Sequence, residues 1–181
     1  MYEVSRERVK RYESIGALVV ILASVLFHFL YEWTGIGLIG AISPVNESVW
    51  EHTKIVVVPY LLYAVLEFFL LKIRDFRQFV VAKAAGAWSI VLFMISFFYT
   101  YSGIFGENFL IVDILSAFAW AILAFVISFR IMNRSGFVEK HWIWSAGAIL
   151  LLLVLLIVFT YAPPHIPLFQ DSVTGGYGIP G

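Results

Sequence analysis

The sequence contains no cysteine among its 181 residues. This absence excludes disulfide bonds, thiolate metal sites and a cysteine nucleophile. Charged residues are also scarce at 13%, while hydrophobic residues make up 61%. A soluble domain has about 25% charged and about 45–50% apolar residues. The composition therefore predicts an integral membrane protein, and its net charge of zero gives no indication that it binds nucleic acid.

The sequence also lacks the common catalytic signatures. It has no P-loop, no GxGxxG fingerprint and no GxSxG nucleophile elbow. Neither an internal repeat nor a second domain is evident. Any site must therefore be inferred from the placement of the few polar residues.

Five apolar stretches are long enough to cross a hydrocarbon core of about 30 Å. They predict an all-α fold, a polytopic membrane helix bundle forming a single domain over residues 1–181. The expected helices are at about 15–33, 46–71, 79–101, 109–132 and 142–161, followed by an ordered tail at 162–181. Residues 1–14 are interpreted as a positively charged flank, with a short helix on the membrane surface as the alternative.

The distribution of cations predicts the orientation. Lysine and arginine occur in the N-terminal flank, in the second loop (Lys72, Arg74 and Arg77) and in the fourth loop, but not in the third loop or the tail. Because positive loops stay inside, this alternation places the N-terminus in the cytoplasm and the C-terminal tail outside.

The most unusual stretch is residues 43–59, SPVNESVWEHTKIVVVP. Ser43 or Asn46 is expected to cap the second helix. At about 100° per residue, Glu47, Glu51 and Lys54 fall on one stripe of that helix. Such groups are costly at the start of a membrane helix unless they are paired or used.

Spacing within the helices suggests a metal site. His28 and Glu32 lie four residues apart, as do Glu47 and Glu51, so each pair shares a helix face. A divalent metal such as zinc would fit nitrogen and oxygen ligands from two neighbouring helices. The predicted metal ligands are His28, Glu32, Glu51 and His165. The predicted catalytic residues are Glu47 as general base, His52 and Asp113, and the predicted substrate-binding residues are Asn46, Trp50, Lys54, Asp171 and Tyr177.

Each of these residues also has a structural interpretation. His28 and Glu32 could hydrogen-bond to each other, Glu51 and Lys54 could form a local ion pair, and the proline-flanked His165 could belong to a rigid lid. At the inner boundary, Glu67 and Lys83 are expected to pair with each other or to snorkel.

Three blocks carry a family resemblance: HFLYEWTG, PVNESVWEHTKIVVVP and PPHIPLFQDSVTGGYGI. They resemble a family of small bacterial polytopic membrane proteins known only as a domain of unknown function. The resemblance implies a multi-pass protein of the bacterial cytoplasmic (inner) membrane with about five helices, and it implies no activity. It also associates the second-helix block with the tail block.

Three functions are compatible with these patterns. The first is a metal-dependent hydrolase acting on a lipid or lipid-linked substrate. The second is a small-molecule or ion-binding module, such as a transporter subunit or sensor, completed by a homo-oligomer or another partner. The third is a structural membrane protein without catalysis, in which the polar residues only lock the tail onto the helices.

Overall fold

The computed structural model describes residues 5–73, 76–134 and 138–180. The described chain forms five long helices, α1 Arg6–Thr34, α2 Val49–Leu71, α3 Phe76–Phe105, α4 Leu110–Met132 and α5 Trp142–Tyr161. Three short 3₁₀ helices connect or follow them, at Gly37–Ala41, Val138–His141 and Pro167–Phe169. All five long helices are apolar enough to cross a membrane, which is the architecture of a multi-pass membrane protein. Arg74 and Gly181, which the predictions included, lie outside the described residues.

The first helix begins at Arg6, earlier than the expected start near residue 15. The Ser5 side chain caps it by accepting the Arg8 N–H at 3.3 Å. The Arg8 guanidinium then donates to the Leu70 carbonyl at 3.0 Å, at the end of α2. Residues 6–14 are therefore part of α1 and pack on the bundle, because a cap and a helix-terminal contact extend the helix beyond the apolar run.

The helices pack around a central pair. α2 and α3 contact each other, α1 packs on α2 and α4, and α3 also packs on α4 and α5. The outer surface of the bundle is apolar, and Leu22, Phe69 and Trp144 are 64%, 69% and 80% exposed. An apolar surface of this extent is covered by lipid in a membrane protein, whereas it would cause aggregation in water.

The bundle has two ends. The tail end comprises the end of α1, the starts of α2 and α4, the end of α5 and the tail itself. The opposite end comprises the starts of α1, α3 and α5 and the ends of α2 and α4. Except for Lys54 and Lys83, the described cations lie at or near the opposite end, or in the turn before α5.

Close packing between α2 and α3 depends on Gly86. A Cβ atom at this position would overlap the Tyr60 hydroxyl and would lie 3.0 Å from the Ala124 carbonyl oxygen of α4. Tyr60 is fully buried, and its ring packs against Phe125 with a centroid distance of 4.9 Å. A hydrogen at position 86 therefore allows a tyrosine to fill the space between three helices.

Replacing Gly86 with alanine is expected to destabilise the bundle by about 1–3 kcal/mol, the usual cost of overpacking. Tyr60 cannot move away easily because Phe125 lies against its ring. Unfolding in mixed detergent micelles measures the effect. Gly103→Ala is the matched control, since it lies on the same helix and a Cβ there meets nothing within 4 Å. Equal stability of the two variants would contradict this account of the packing.

Candidate metal centre

The tail folds back onto the start of α2. The Asn46 side-chain amide donates to the Gly178 carbonyl at 2.9 Å, and the Ser172 hydroxyl donates to the Glu47 carbonyl at 3.1 Å. Trp50 packs against Phe159 and Phe169, with ring centroids 5.5 Å apart in both cases. The two blocks that the resemblance associated are therefore in contact, and Asn46 and Trp50 hold the tail in place.

Asp171 organises the tail itself. Its carboxylate accepts the Val173 N–H at 2.9 Å and the Thr174 hydroxyl at 2.6 Å. The Asp171 backbone carbonyl accepts the Gly175 N–H at 2.9 Å, and Gly175 has a φ of 73°, which favours glycine. Burial acts to raise the pKa of Asp171, but these hydrogen bonds hold it below its ordinary value. The residue predicted to bind substrate thus closes a turn.

This turn should loosen in acid. Because the folded state lowers the pKa of Asp171, its contribution to stability is present above the ordinary value of about 3.9 and is lost as the pH falls through the lower, folded value. Hydrogen–deuterium exchange of residues 171–178, corrected for intrinsic rates, should rise in that range. Asp171→Asn should exchange faster already at neutral pH. Identical protection in the variant at neutral pH would contradict this role.

His165 and Tyr177 lie together in the tail. Their rings stack with a centroid distance of 4.5 Å and an interplanar angle of 22°. His165, a predicted metal ligand, is exposed, and it is not part of the metal-competent cluster found among the described residues. The tail therefore reaches the start of α2 through other residues.

Glu51 and Lys54 form a buried network. The Lys54 ammonium donates to a Glu51 carboxylate oxygen at 2.6 Å, to the Gly40 carbonyl at 2.8 Å and to the Thr160 hydroxyl. The Glu51 carboxylate also accepts the Val45 N–H at 3.0 Å. This network joins the α1–α2 connection, α2 and α5, and it uses the donors and acceptors that metal or substrate binding would require.

Three other side chains converge beside this network. His28 of α1, Glu47 before α2 and His52 of α2 each present one ligand atom, and these atoms all lie within 4.8 Å of one another. His52 Nε2 is 3.3 Å from Glu47 Oε2, and the His28 and His52 ring centroids are 5.5 Å apart. His28 and His52 are half-buried and Glu47 is exposed, so the cluster is open on one side.

The tautomer of His52 follows from its neighbour. Its Nδ1 lies 2.9 Å from the Ser48 carbonyl, which can only accept, so Nδ1 carries a hydrogen. The other ring nitrogen, Nε2, faces Glu47. In the charged imidazolium Nε2 also carries a hydrogen and can donate to Glu47, whereas in the neutral ring its lone pair can bind a metal ion. A metal-binding histidine is commonly oriented by a hydrogen bond from its other ring N–H to a backbone carbonyl. The hydrogen bond from His52 also lowers the pKa of Glu47.

The turn of α1 that bears His28 is hydrogen-bonded to Ser43. The Ser43 hydroxyl donates to the Phe27 carbonyl at 2.7 Å and accepts the Tyr31 N–H at 3.0 Å. In an uninterrupted helix these two backbone groups bond to each other. His28 Nδ1 is buried and has no hydrogen-bond partner among the described residues. A buried nitrogen without a partner is uncommon, and this one is available to bind a ligand.

One distance in the cluster can be compared with the ligand spacing of a tetrahedral zinc site. Two ligands of a tetrahedral zinc ion at about 2.0–2.1 Å lie about 3.3 Å apart. His52 Nε2 and Glu47 Oε2 already have this separation. The His28 ligand atom lies within 4.8 Å of the other two.

Two predicted site residues lie around this cluster. Glu32 is exposed one turn after His28 on α1 and interacts with it electrostatically. Asp113, in the first turn of α4, accepts a hydrogen bond from the Tyr101 hydroxyl and another from Asn108 at 2.9 Å. It also interacts electrostatically with His52. Asp113 is thus held in position by its own partners.

A model described as "Family of unknown function (DUF6512)" matches residues 1–179. The chain belongs to this family. Membership confirms the resemblance to an uncharacterised family, and it assigns no activity to DUF6512 proteins. No curated protein and no solved structure matches the chain.

Proposed function

We propose that this DUF6512 protein binds a divalent transition-metal ion, best fitted by zinc, through His28, Glu47 and His52. The observation that carries the proposal is the convergence of three ligand atoms within 4.8 Å, with a buried His28 nitrogen that lacks a partner. The ligand set predicted from spacing is revised accordingly. Glu51 is better explained by its pairing with Lys54, and His165 by its stacking on Tyr177.

We also propose an orientation. The described cations, apart from two buried lysines, lie toward the end opposite the tail, which the positive-inside rule places in the cytoplasm. The metal centre would then lie at the outer boundary of the bacterial cytoplasmic membrane. The bacterial assignment rests on the sequence resemblance.

The proposed activity is hydrolysis of a lipid or lipid-linked ester. Three protein ligands leave a position for water, which is the arrangement of catalytic zinc sites. A bound zinc ion would supply an activated water at neutral pH. Glu32 is the proposed general base, because it is exposed beside His28 and has no hydrogen bond or ion pair in the described part of the chain.

A lipid substrate is favoured by the surroundings of the site. Phe29 stands edge-on to His28 at 4.7 Å between ring centroids and stacks on Trp33 at 5.7 Å. Trp33 is 64% exposed. Aromatic residues at the end of a spanning helix are typical of the membrane–water interface, so a substrate that approached the site from this side would be embedded in lipid.

The test begins with elemental analysis of protein purified without added chelator. About one zinc ion per chain is expected, together with hydrolysis of phospholipid or lipid-linked phosphate in proteoliposomes. Glu32→Gln should retain zinc and lose turnover, because it removes a base but no ligand. Loss of zinc in Glu32→Gln would favour the ligand set predicted from spacing. Zinc binding without turnover on these substrates would instead favour an ion-binding module.

A further inference from the structure

A second polar cluster lies inside the opposite half of the bundle. The Lys83 ammonium of α3 donates to Glu13 Oε1 of α1 at 2.9 Å and is ion-paired with Glu67 Oε2 of α2 at 2.6 Å. The Ser128 hydroxyl of α4 donates to the same Glu13 oxygen at 2.7 Å. The exposures of Glu13, Glu67 and Lys83 are 3%, 0% and 2%, so the cluster is shielded from solvent.

The charges in this cluster do not balance. Two carboxylates face one ammonium, and the aromatic rings around Lys83, those of Tyr60, Phe79 and Phe125, add no charge. Two phenols, those of Tyr60 and Tyr63, are the other titratable groups that interact with both carboxylates among the described residues, and the Tyr63 hydroxyl donates to the Tyr12 carbonyl at 2.6 Å. Helix α5 carries no aspartate, glutamate, lysine, arginine or histidine. With both carboxyl groups ionised, the centre of the bundle would hold a net negative charge.

Each of the two carboxyl groups has an oxygen atom that could carry a proton without losing a hydrogen bond. Glu13 Oε2 and Glu67 Oε1 are buried and have no hydrogen-bond partner among the described residues, and the same is true of the Tyr60 hydroxyl. An uncompensated buried charge costs several kcal/mol, so a cluster with one neutral carboxyl group is favoured. When two carboxyl groups interact this closely, the proton belongs to the pair rather than to either residue.

We infer that Glu13, Glu67 and Lys83 form a binding site for one exchangeable proton in the half of the membrane opposite the metal centre. One proton gives a neutral cluster, and its release gives a cluster with one negative charge. The site is distinct from the metal centre: Glu67 follows His52 by 15 residues on α2, about 22 Å along the helix axis. It therefore adds a proton-binding function that does not depend on zinc.

Infrared spectroscopy of the full chain in lipid nanodiscs tests the inference directly. The carbonyl stretching band of a protonated carboxylic acid is expected at neutral pH, with a shift in deuterium oxide and a loss at alkaline pH. Glu13→Gln and Glu67→Gln should each abolish this band, because one carboxylate then remains for one ammonium. Glu107→Gln, which changes an exposed carboxylate in the connection between α3 and α4, should leave the band intact.

Several outcomes would overturn the inference. They are the absence of a band assignable to Glu13 or Glu67 at every pH, a band that never titrates, and a band that survives in either glutamine variant. Stability provides an independent readout if a variant folds poorly. Each single glutamine variant should unfold near the wild-type temperature at neutral pH, whereas Lys83→Met should lower it by about 10 °C. Equal losses in the glutamine and methionine variants would show a structural network that requires both carboxylates to be ionised.

Discussion

Replacing Lys54 with methionine is expected to lower the free energy of unfolding by about 3–5 kcal/mol, the usual cost of removing one partner from a buried ion pair. Both Lys54 and Glu51 are almost completely buried. The substitution would leave the Glu51 carboxylate without its ammonium and would remove the donor to the Gly40 carbonyl. Methionine fills a similar volume, so most of the loss reports the unpaired charge. Unfolding in mixed micelles, followed by tryptophan fluorescence, measures it.

Two controls separate charge from packing. Lys140→Met removes an exposed lysine before α5 and should change stability little. The double variant Lys54→Met, Glu51→Gln should recover part of the loss, because the buried negative charge is then absent. If Lys54→Met kept the stability of the wild type and lost only the ability to bind a ligand, Lys54 would be a substrate-binding residue, as its position in the sequence suggested.

Replacing His52 with alanine is expected to weaken zinc binding about 100-fold. The binding free energy of a structural zinc site is about 10–16 kcal/mol, or roughly 3 kcal/mol for each of four ligands. A tenfold change in affinity corresponds to about 1.4 kcal/mol. His52 provides the nitrogen that faces Glu47, with its tautomer set by the Ser48 carbonyl. Competition with a fluorescent zinc chelator measures the affinity in detergent.

His141→Ala is the matched control, because this histidine lies immediately before α5, at the end of the bundle away from the cluster. It should bind zinc as tightly as wild type. Zinc binding should also weaken in acid, since imidazole must be neutral to bind metal. Glu47 adds little to this pH dependence, because its lowered pKa keeps it ionised there. Equal zinc affinity of His52→Ala and wild type would remove the proposed centre.

The sequence predicted the fold more completely than the site. Apolar runs of membrane-crossing length identified five helices, because this signal is local and depends only on composition. The path of residues 35–48 carries no such periodicity, so the contact between Ser43 and α1 was not foreseeable. The predicted position of Glu47 on α2 was wrong because the helix starts later than expected. Ser48 caps α2, so Glu47 precedes the helix and does not share a stripe with Glu51.

The cluster of Glu13, Glu67 and Lys83 illustrates the same difficulty. Pairing of Glu67 with Lys83 was among the expectations, and the structure contains this ion pair at 2.6 Å. Glu13 was interpreted as part of a charged flank, because it precedes the first apolar run. Its place in the bundle follows from the start of α1 at Arg6, which continues the helix through Glu13. Ser128 gave no signal, since a serine in a membrane helix usually only packs.

The hydrogen bonds of Ser43 tie the connection between α1 and α2 to the first helix. The Ser43 hydroxyl bonds to the Phe27 carbonyl and to the Tyr31 N–H of α1, and Ser43 itself belongs to the connection that leads into α2. The tail is hydrogen-bonded to the same α1–α2 connection at Asn46. The tail, the connection into α2 and the turn of α1 that bears His28 are therefore joined by a continuous set of hydrogen bonds and covalent links.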